Sequence, residues 1–195
     1  MASRRAVAPI IATLLLVAIA VVGGSIIFVF SQGFFSAAQV SGTPNIESLK
    51  YTGYDASDGN LVFLHDGGNS TSGTNVAGDG LNAGERIAVY VQNNSVQKVT
   101  LNELRFAGAV YTFTSGATDS ALTTDGHFMV ASKSNGVTPA TTVSTTSAEI
   151  QPGQQATVIL QLSDDIKAGR DVQVKMITGN GAVFVGTVIA GQQSG

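Results

Sequence analysis

The residues that could perform acid–base or nucleophilic chemistry are few and scattered. The two histidines, His65 and His127, are far apart in the chain, and there is no cysteine. The sequence contains no nucleophile elbow, no Walker A loop and no His or Cys spacing typical of a metal site. We therefore expect both histidines to be ordinary strand-end residues, and we predict neither an enzyme nor a cofactor.

Oxygen-bearing side chains are clustered in two Gly-rich stretches. They are Asp55, Asp58 and Asn60 in the first stretch, and Asp66, Asp79, Asn82 and Glu85 in the second. Such side chains could bind calcium. Their spacing does not match the twelve-residue calcium loop, however, and Asp, Asn and Gly are the usual residues of turns. We prefer the turn interpretation, with calcium as the alternative.

Two glycosylation sequons are present, Asn69-Ser70-Thr71 and Asn93-Asn94-Ser95. Both lie in predicted loops, where an asparagine side chain can carry a glycan. We predict that both asparagines are exposed and that at least one is modified.

The element that dominates the chain is an apolar N-terminal segment. From Val7 to Phe30 it is almost wholly apolar, and no charged residue occurs between Arg5 and Glu47. This length is enough to cross a bilayer core of about 30 Å as a helix. We expect Pro9 in the first helical turn, where its missing N–H costs nothing. Because the helix is apolar on every face, it must be buried all round, in lipid or in protein.

Small residues recur at four-residue spacing within this segment. Ala8 is followed by Ala12, and Ala20 by Gly24. Such pairs allow helix backbones to approach closely, although Ala and Gly are also frequent in membrane helices. Gly23 and Gly24 each weaken a helix by about 1 kcal/mol relative to Ala, so a bend is expected there.

The charge pattern favours an extracellular location and disfavours nucleic acid. Arg4 and Arg5 precede the apolar segment, and basic flanks stay in the cytoplasm. The formal net charge is -3, and loss of the two arginines would make it more negative by two. Without a basic patch there is no counterion release to drive nucleic-acid binding.

The remainder of the chain is predicted to form a β domain. Residues 36–45 contain Gly42 and Pro44 and form a predicted linker. About eight short strands then follow, separated by a long loop at 66–84 and an irregular stretch at 132–147. Asn180-Gly181 lies between two strand-like runs and predicts a hairpin. The predicted fold class is α+β, a long apolar helix followed by an antiparallel, immunoglobulin-like β-sandwich or barrel.

The start of the chain carries a family resemblance. Arg4-Arg5-Ala6-Val7-Ala8-Pro9-Ile10-Ile11-Ala12 and the apolar run behind it look like the N-terminus of archaeal type IV pilin precursors. The resemblance covers roughly the first 35 residues. The β domain is similar to pilin and archaellin domains only in general style.

The resemblance implies both a processing step and a function. A prepilin peptidase would cut between Ala6 and Val7, after Arg5. The chain would then comprise a leader at 1–6, an assembly helix at 7–38, a linker at 39–45 and a β domain at 46–195. It would be an extracellular filament subunit that polymerises with its own copies. Its helix would pack through Ala8, Ala12, Ala20, Gly23 and Gly24.

The resemblance implies further partners, and three alternative identities of the chain are considered. The resemblance implies an assembly ATPase, a membrane platform protein, and the cytoplasmic membrane as the site of the precursor. An archaellin shares the same architecture, and a membrane-anchored or secreted β-sandwich that binds a ligand would share the helix. Ser36-Ala37-Ala38 also resembles a conventional signal-peptidase site. Against this, a conventional apolar core has about 7–15 residues and this one is longer.

Overall fold

A computed structural model describes residues 4–39, 46–71, 73, 78–116, 119–134, 142–144 and 147–195. Side chains of the N-terminal helix are described over residues 7–33. The chain divides into two compact units, Met1–Asn45 and Ile46–Gly195. Among the described residues, the first unit contains one helix, and the regular elements of the second are strands apart from one short 3₁₀ turn.

The first unit is one continuous helix, α1, at Arg4–Gln39. Its 36 residues correspond to about 54 Å at ~1.5 Å per residue. The helix begins earlier than expected, so Pro9 is its sixth residue and lies beyond the first turn. The helix continues without interruption through Gly23 and Gly24. Leu, Ile, Val and Ala before and after the two glycines form enough backbone hydrogen bonds to carry the helix across them.

The second unit contains thirteen strands and one short 3₁₀ turn within its described residues. The strands are β1 Leu49–Asp55, β2 Leu61–Phe63, β3 Asn69–Thr71, β4 Arg86–Asn93, β5 Val99–Phe106, β6 Ala109–Phe113, β7 His127–Ser134, β8 Thr142–Ser144, β9 Glu149–Ile150, β10 Gln155–Gln161, β11 Asp171–Thr178, β12 Val183–Ile189 and β13 Gln193–Ser194. The 3₁₀ turn is Asp119–Ala121.

The main sheet has the strand order β12-β11-β5-β6-β7-β10-β4-β1-β13, with β8 beside β7 and β9 beside β5. Strands β2 and β3 form a separate hairpin. Among the described pairs, β6 and β7 run parallel and the others run antiparallel. The predicted α+β class with a mostly antiparallel sheet is therefore confirmed.

The sheet curls until its two ends meet, which gives a sandwich close to a barrel. Tyr51 of β1 donates its hydroxyl to the carbonyl oxygen of Thr187 in β12, at 3.1 Å. Gly186 makes this approach possible, because a Cβ there would lie 2.8 Å from the Tyr51 ring. The enclosed core includes Leu104, Phe128 and Leu160, which are fully buried.

Two predicted irregular stretches contain strands that the residue pattern did not indicate. Strand β3 lies inside the expected 66–84 loop, and β8 lies inside the expected irregular stretch at 132–147. Each has three residues and is rich in Ser, Thr and Asn. Such segments lack apolar alternation, and they become strands because a neighbouring strand offers hydrogen bonds.

Candidate functional site

The most unusual surface of the molecule is the apolar span Val7–Gly33 of α1. It contains 27 residues, and none of its most apolar window is buried within the chain. Leu16, Ile27 and Phe30 are 70%, 71% and 78% exposed. Monomeric soluble proteins rarely expose apolar patches of more than a few hundred Å². The span therefore requires an apolar environment from outside its own chain.

The hydroxyl groups of the described span are compatible with an apolar environment. Thr13 donates to the carbonyl oxygen of Ile10, Ser25 to that of Val22 and Ser31 to that of Phe28, each at 2.9 Å. Every one of these hydroxyls is satisfied one turn back in its own helix. Because an unpaired hydroxyl is costly in an apolar medium, this arrangement allows the helix to enter lipid or a helix bundle.

The small residues of the span face two different directions. At about 100° per residue, Ala8 and Ala12 lie on one side and Ala20 and Gly24 on a side about 120° away. A Cβ placed at Gly23 or Gly24 would meet nothing within 4 Å. These surfaces are open for close approach by other helices, and their role in packing stays a prediction.

The predicted cleavage point lies at the start of the same helix. Arg5, Ala6 and Val7 all have helical backbone, and the Val7 side chain is 53% exposed. The side chains of Arg5 and Ala6 are outside the described residues. Processing between Ala6 and Val7 remains a prediction.

In the β domain, the carboxylates of the Gly-rich stretches hold loop backbones in place. Asp58 accepts hydrogen bonds from the N–H groups of Gly78 and Gly80, at 3.0 and 2.7 Å. Asp55 is fully buried and accepts from the N–H groups of Ser57 and Phe63. These are the Asp–backbone contacts expected of turns. Within the described residues, no three His, Asp or Glu side chains converge as metal ligands.

Burial shifts the pKa values of two of the candidate residues, Glu85 and His65. Burial raises the pKa of Glu85, and the nearby carboxylates of Asp79, Asp58 and Asp165 raise it further. Burial lowers the pKa of His65, whose Nδ1 lies 2.9 Å from the Thr157 hydroxyl. Thr157 is itself buried. His65 is half-buried, and its Nδ1 is engaged by a hydroxyl group of the domain itself.

The two sequon asparagines differ. The expectation that Asn93 is exposed is wrong, because its side chain is fully buried. Its amide donates to the carbonyl oxygens of Gln97 and Ile150, at 2.9 and 2.8 Å, and its side-chain oxygen accepts from the Ser95 N–H at 2.9 Å. Asn69 lies half-buried in β3. Modification of either asparagine stays untested, and the folded domain favours Asn69.

One polar anchor was not anticipated from the sequence. Glu47 accepts a hydrogen bond from the Asn180 amide at 2.7 Å and another from the Thr178 hydroxyl. It thereby ties the point where the chain enters the β domain to the β11–β12 hairpin. In the sequence, Glu47 stands out only as the first charged residue after the apolar segment. That position does not predict a hydrogen bond with Thr178, which lies 131 residues further along the chain.

Comparison with known proteins gives similarity in structure alone. No protein-family model matches the chain, and no curated sequence matches it at a significant level. The archaellum periplasmic stator protein FlaG from Sulfolobus acidocaldarius is similar over 73% of this chain and 100% of its own, with 12% identity and a TM-score of 0.39. The structure of the Iho670 flagellar-like filament is similar over 94% of this chain and 98% of its own, with 16% identity and a TM-score of 0.45.

A complex of FlaF and FlaG from the same organism is similar over 67% of this chain and 89% of its own, with 12% identity and a TM-score of 0.36. At TM-scores below 0.5 the likenesses carry no functional weight, and the function must be argued from the chain's own residues.

Proposed function

We propose that this chain is a structural subunit of an extracellular filament of the archaeal type IV pilus class. The observation that carries the proposal is the exposed span Val7–Gly33, apolar on all sides and uncharged. A single β domain can cover one stripe of such a helix. Several parallel copies of the helix can cover all of it, because each copy supplies the apolar surroundings of its neighbours.

The energetics favour a polymer that does not dissolve once it has formed. Moving the helix from lipid into a helix bundle gains little hydrophobic free energy, since both surroundings are apolar. Moving it into water exposes on the order of 17 large side chains, at ~1.5–3 kcal/mol each. The gross cost is tens of kcal/mol, before entropy offsets part of it. Assembly therefore starts from the membrane, and the family resemblance implies that an ATPase and a platform protein drive it.

Leader removal has a physical reason in this proposal. Arg4 and Arg5 are suited to the cytoplasmic membrane surface, but in a filament core they would be buried charges without partners. Cleavage by a prepilin peptidase between Ala6 and Val7 removes both charges. The helix can then leave the bilayer and pack among its copies, with the β domain on the filament surface.

Mass spectrometry of the N-terminus tests the processing step. Material sheared from the cell surface should begin Val-Ala-Pro, and Arg5→Glu should leave an uncut precursor in the membrane. Arg4→Glu is the matched control, because it makes the same charge change one residue further from the cut, and we expect it to be processed more completely than Arg5→Glu. A mature chain beginning at Gln39 would contradict the proposal and identify a conventional secreted protein.

A further inference from the structure

The two ends of the β domain differ in the charge of their loops. Strand pairing places the start of β1, β5, β10 and β12 at the end where the chain enters the domain, and the same pairing places the last residues of β4 and β11 there. We call this the entry end and define it by residues 46–48, 94–98, 151–154 and 179–182, all of which the structure describes.

The opposite end, which we call the far end, consists of the loops at 56–60, 78–85, 122–126 and 162–170. These loops are rich in charged side chains, and most of the charges are negative. Their carboxylates are Asp58, Asp79, Glu85, Asp125, Asp164 and Asp165, and their cations are Lys167 and Arg170. The far end is therefore strongly acidic and well suited to water.

The four segments of the entry end contain two charged residues, Glu47 and Lys98. Both have partners within the domain. Glu47 accepts a hydrogen bond from the Asn180 amide at 2.7 Å, and Lys98 forms an ion pair with Glu149 at 2.7 Å. The other polar side chains of these segments are Asn, Gln and Ser, which carry no charge.

The entry end also displays apolar side chains. Val96 is 91% exposed, more than any other large apolar side chain that the structure describes, and Ile46 is 72% exposed. The turn that carries Val96 is fixed, because the Gln97 carbonyl oxygen accepts from the Asn93 amide and from the Ser95 hydroxyl, each at 2.9 Å. Exposure of Val96 is thus built into the turn.

A backbone hydrogen bond holds the two apolar positions near each other. The Asn94 N–H donates to the Ser48 carbonyl oxygen at 2.8 Å, which places the segment that carries Ile46 alongside the turn that carries Val96. A contact with these two side chains is far smaller than the ~800 Å² that a stable protein complex needs from each partner. A lipid surface needs no matching shape, and its attraction grows with the apolar area that is buried.

The covalent chain keeps the entry end near the bilayer in a membrane-inserted precursor. The apolar span ends at Gly33 and α1 ends at Gln39, which is about 9 Å further at ~1.5 Å per residue. From there the chain to Ile46 can extend over at most about 25 Å. Ile46 is therefore held within about 35 Å of the end of the apolar span.

Electrostatics favour the same end of the domain for contact with lipid. A surface that contains anionic lipids repels carboxylates within a Debye length of about 8 Å, so it turns the acidic far end away. The entry end can approach the headgroups without moving an unpaired charge out of water, which would be costly. Tether and charge thus act in the same direction.

We propose that the entry end of the β domain rests on the bilayer surface in the precursor, with Val96 and Ile46 inserted among the lipid headgroups. This inference rests on the proposed function, because that function supplies the membrane-inserted helix. The tether raises the local concentration of the domain at the membrane, so a small contact is enough. The contact holds the domain against the membrane until the helix leaves the bilayer.

Tryptophan fluorescence tests the proposal, since the chain has no tryptophan of its own. Val96→Trp places a reporter at the entry end, and Thr124→Trp is the matched control, exposed at the far end. Gln97→Trp is a second reporter that keeps Val96, and it is also combined with Val96→Asp. Each full-length variant is reconstituted into vesicles of phosphatidylcholine and phosphatidylglycerol, with and without brominated acyl chains, which quench indole on contact.

We expect brominated lipid to lower the fluorescence of Val96→Trp and Gln97→Trp about twofold, because both reporters lie among the headgroups. Thr124→Trp should not change, and addition of Val96→Asp should remove most of the quenching of Gln97→Trp. Equal fluorescence of both entry-end reporters in the two kinds of vesicle would overturn the proposal, as would equal quenching of Thr124→Trp.

Two further outcomes separate this inference from the proposed function. Shielding of Val96→Trp from aqueous iodide in filaments but not in vesicles would assign the contact to a second copy of the chain and overturn the proposal. Failure of the parent chain to float with the vesicles would refute the membrane-inserted precursor, and this inference with it. Absence of filaments on cells, with quenching intact, would refute the proposed function alone.

Discussion

The helix and the β domain differ in the burial of their apolar side chains. The domain buries Ile87, Leu104 and Phe128 completely within its own fold. The helix leaves Leu16 and Phe30 mostly exposed. All thirteen Asp and Glu residues lie after the helix, and the span Val7–Gly33 has no charge. The domain is complete as a folding unit, whereas the helix needs surroundings that its own chain does not supply.

This difference separates folding from assembly within one chain. Changes in the helix should alter membrane retention and polymer formation while the domain still folds. Changes in the domain core should lower its stability while the helix still inserts. Each substitution below affects one region and is paired with a control.

A charge in the middle of the helix should have the largest effect. Ile19→Arg places a cation in an apolar span, at a cost of about 2.5–3.5 kcal/mol at the centre of a membrane helix. We expect about a hundredfold less protein in the sheared surface fraction, measured by quantitative immunoblotting. Val185→Arg is the control, since Val185 is 52% exposed on strand β12 of the domain. An equal loss of surface protein in both variants would contradict the view that assembly depends on the helix and not on the β domain.

Two glycine substitutions, one in the helix and one in the β domain, test whether assembly and folding depend on different regions. A Cβ at Gly24 meets nothing within 4 Å in the single chain, so Gly24→Leu should reduce filament yield by keeping helices apart while the domain melts normally. Gly186→Ala places a Cβ 2.8 Å from the Tyr51 ring, and it should lower domain stability by about 1–3 kcal/mol. Gly33→Leu, about half a turn from Gly24, is the helix control. Melting curves and filament yields of all three variants give the comparison.

Asn93→Ala tests whether the buried sequon is structural. The change removes the donor to the Gln97 and Ile150 carbonyl oxygens, and leaving the buried Ile150 carbonyl group without this donor costs about 1–3 kcal/mol. Denaturant unfolding should show this loss, while Asn94→Ala, at an exposed neighbouring residue, should stay within about 0.5 kcal/mol of the parent. A glycan mapped to Asn93 in native material would contradict the burial of its side chain.

The sequence predicted those elements that are determined by a few neighbouring residues. The uncharged run predicted α1, and Asn180-Gly181 predicted the β11–β12 hairpin, where Gly181 has φ 85°. Strand β11 alternates between exposed and buried residues. These features depend on local periodicity and turn chemistry, which the sequence contains directly.

The missed features depend on distant partners. Strands β9 and β13 have two residues each, and they exist because β5 and β1 offer unpaired backbone groups. The burial of Asn93 depends on Ile150, 57 residues further along the chain. For the helix, the residue pattern predicted the apolar character but not the earlier start at Arg4.

The most direct test of the account compares filament formation by the full chain and by residues 46–195 alone. Each is expressed in cells that lack the native gene, and surface material is examined by electron microscopy and by size-exclusion chromatography. We predict filaments from the full chain and a soluble monomer from residues 46–195, because that unit has a complete core of its own. Filaments formed by residues 46–195 would show that the sheet domain polymerises the chain, and would contradict the central claim.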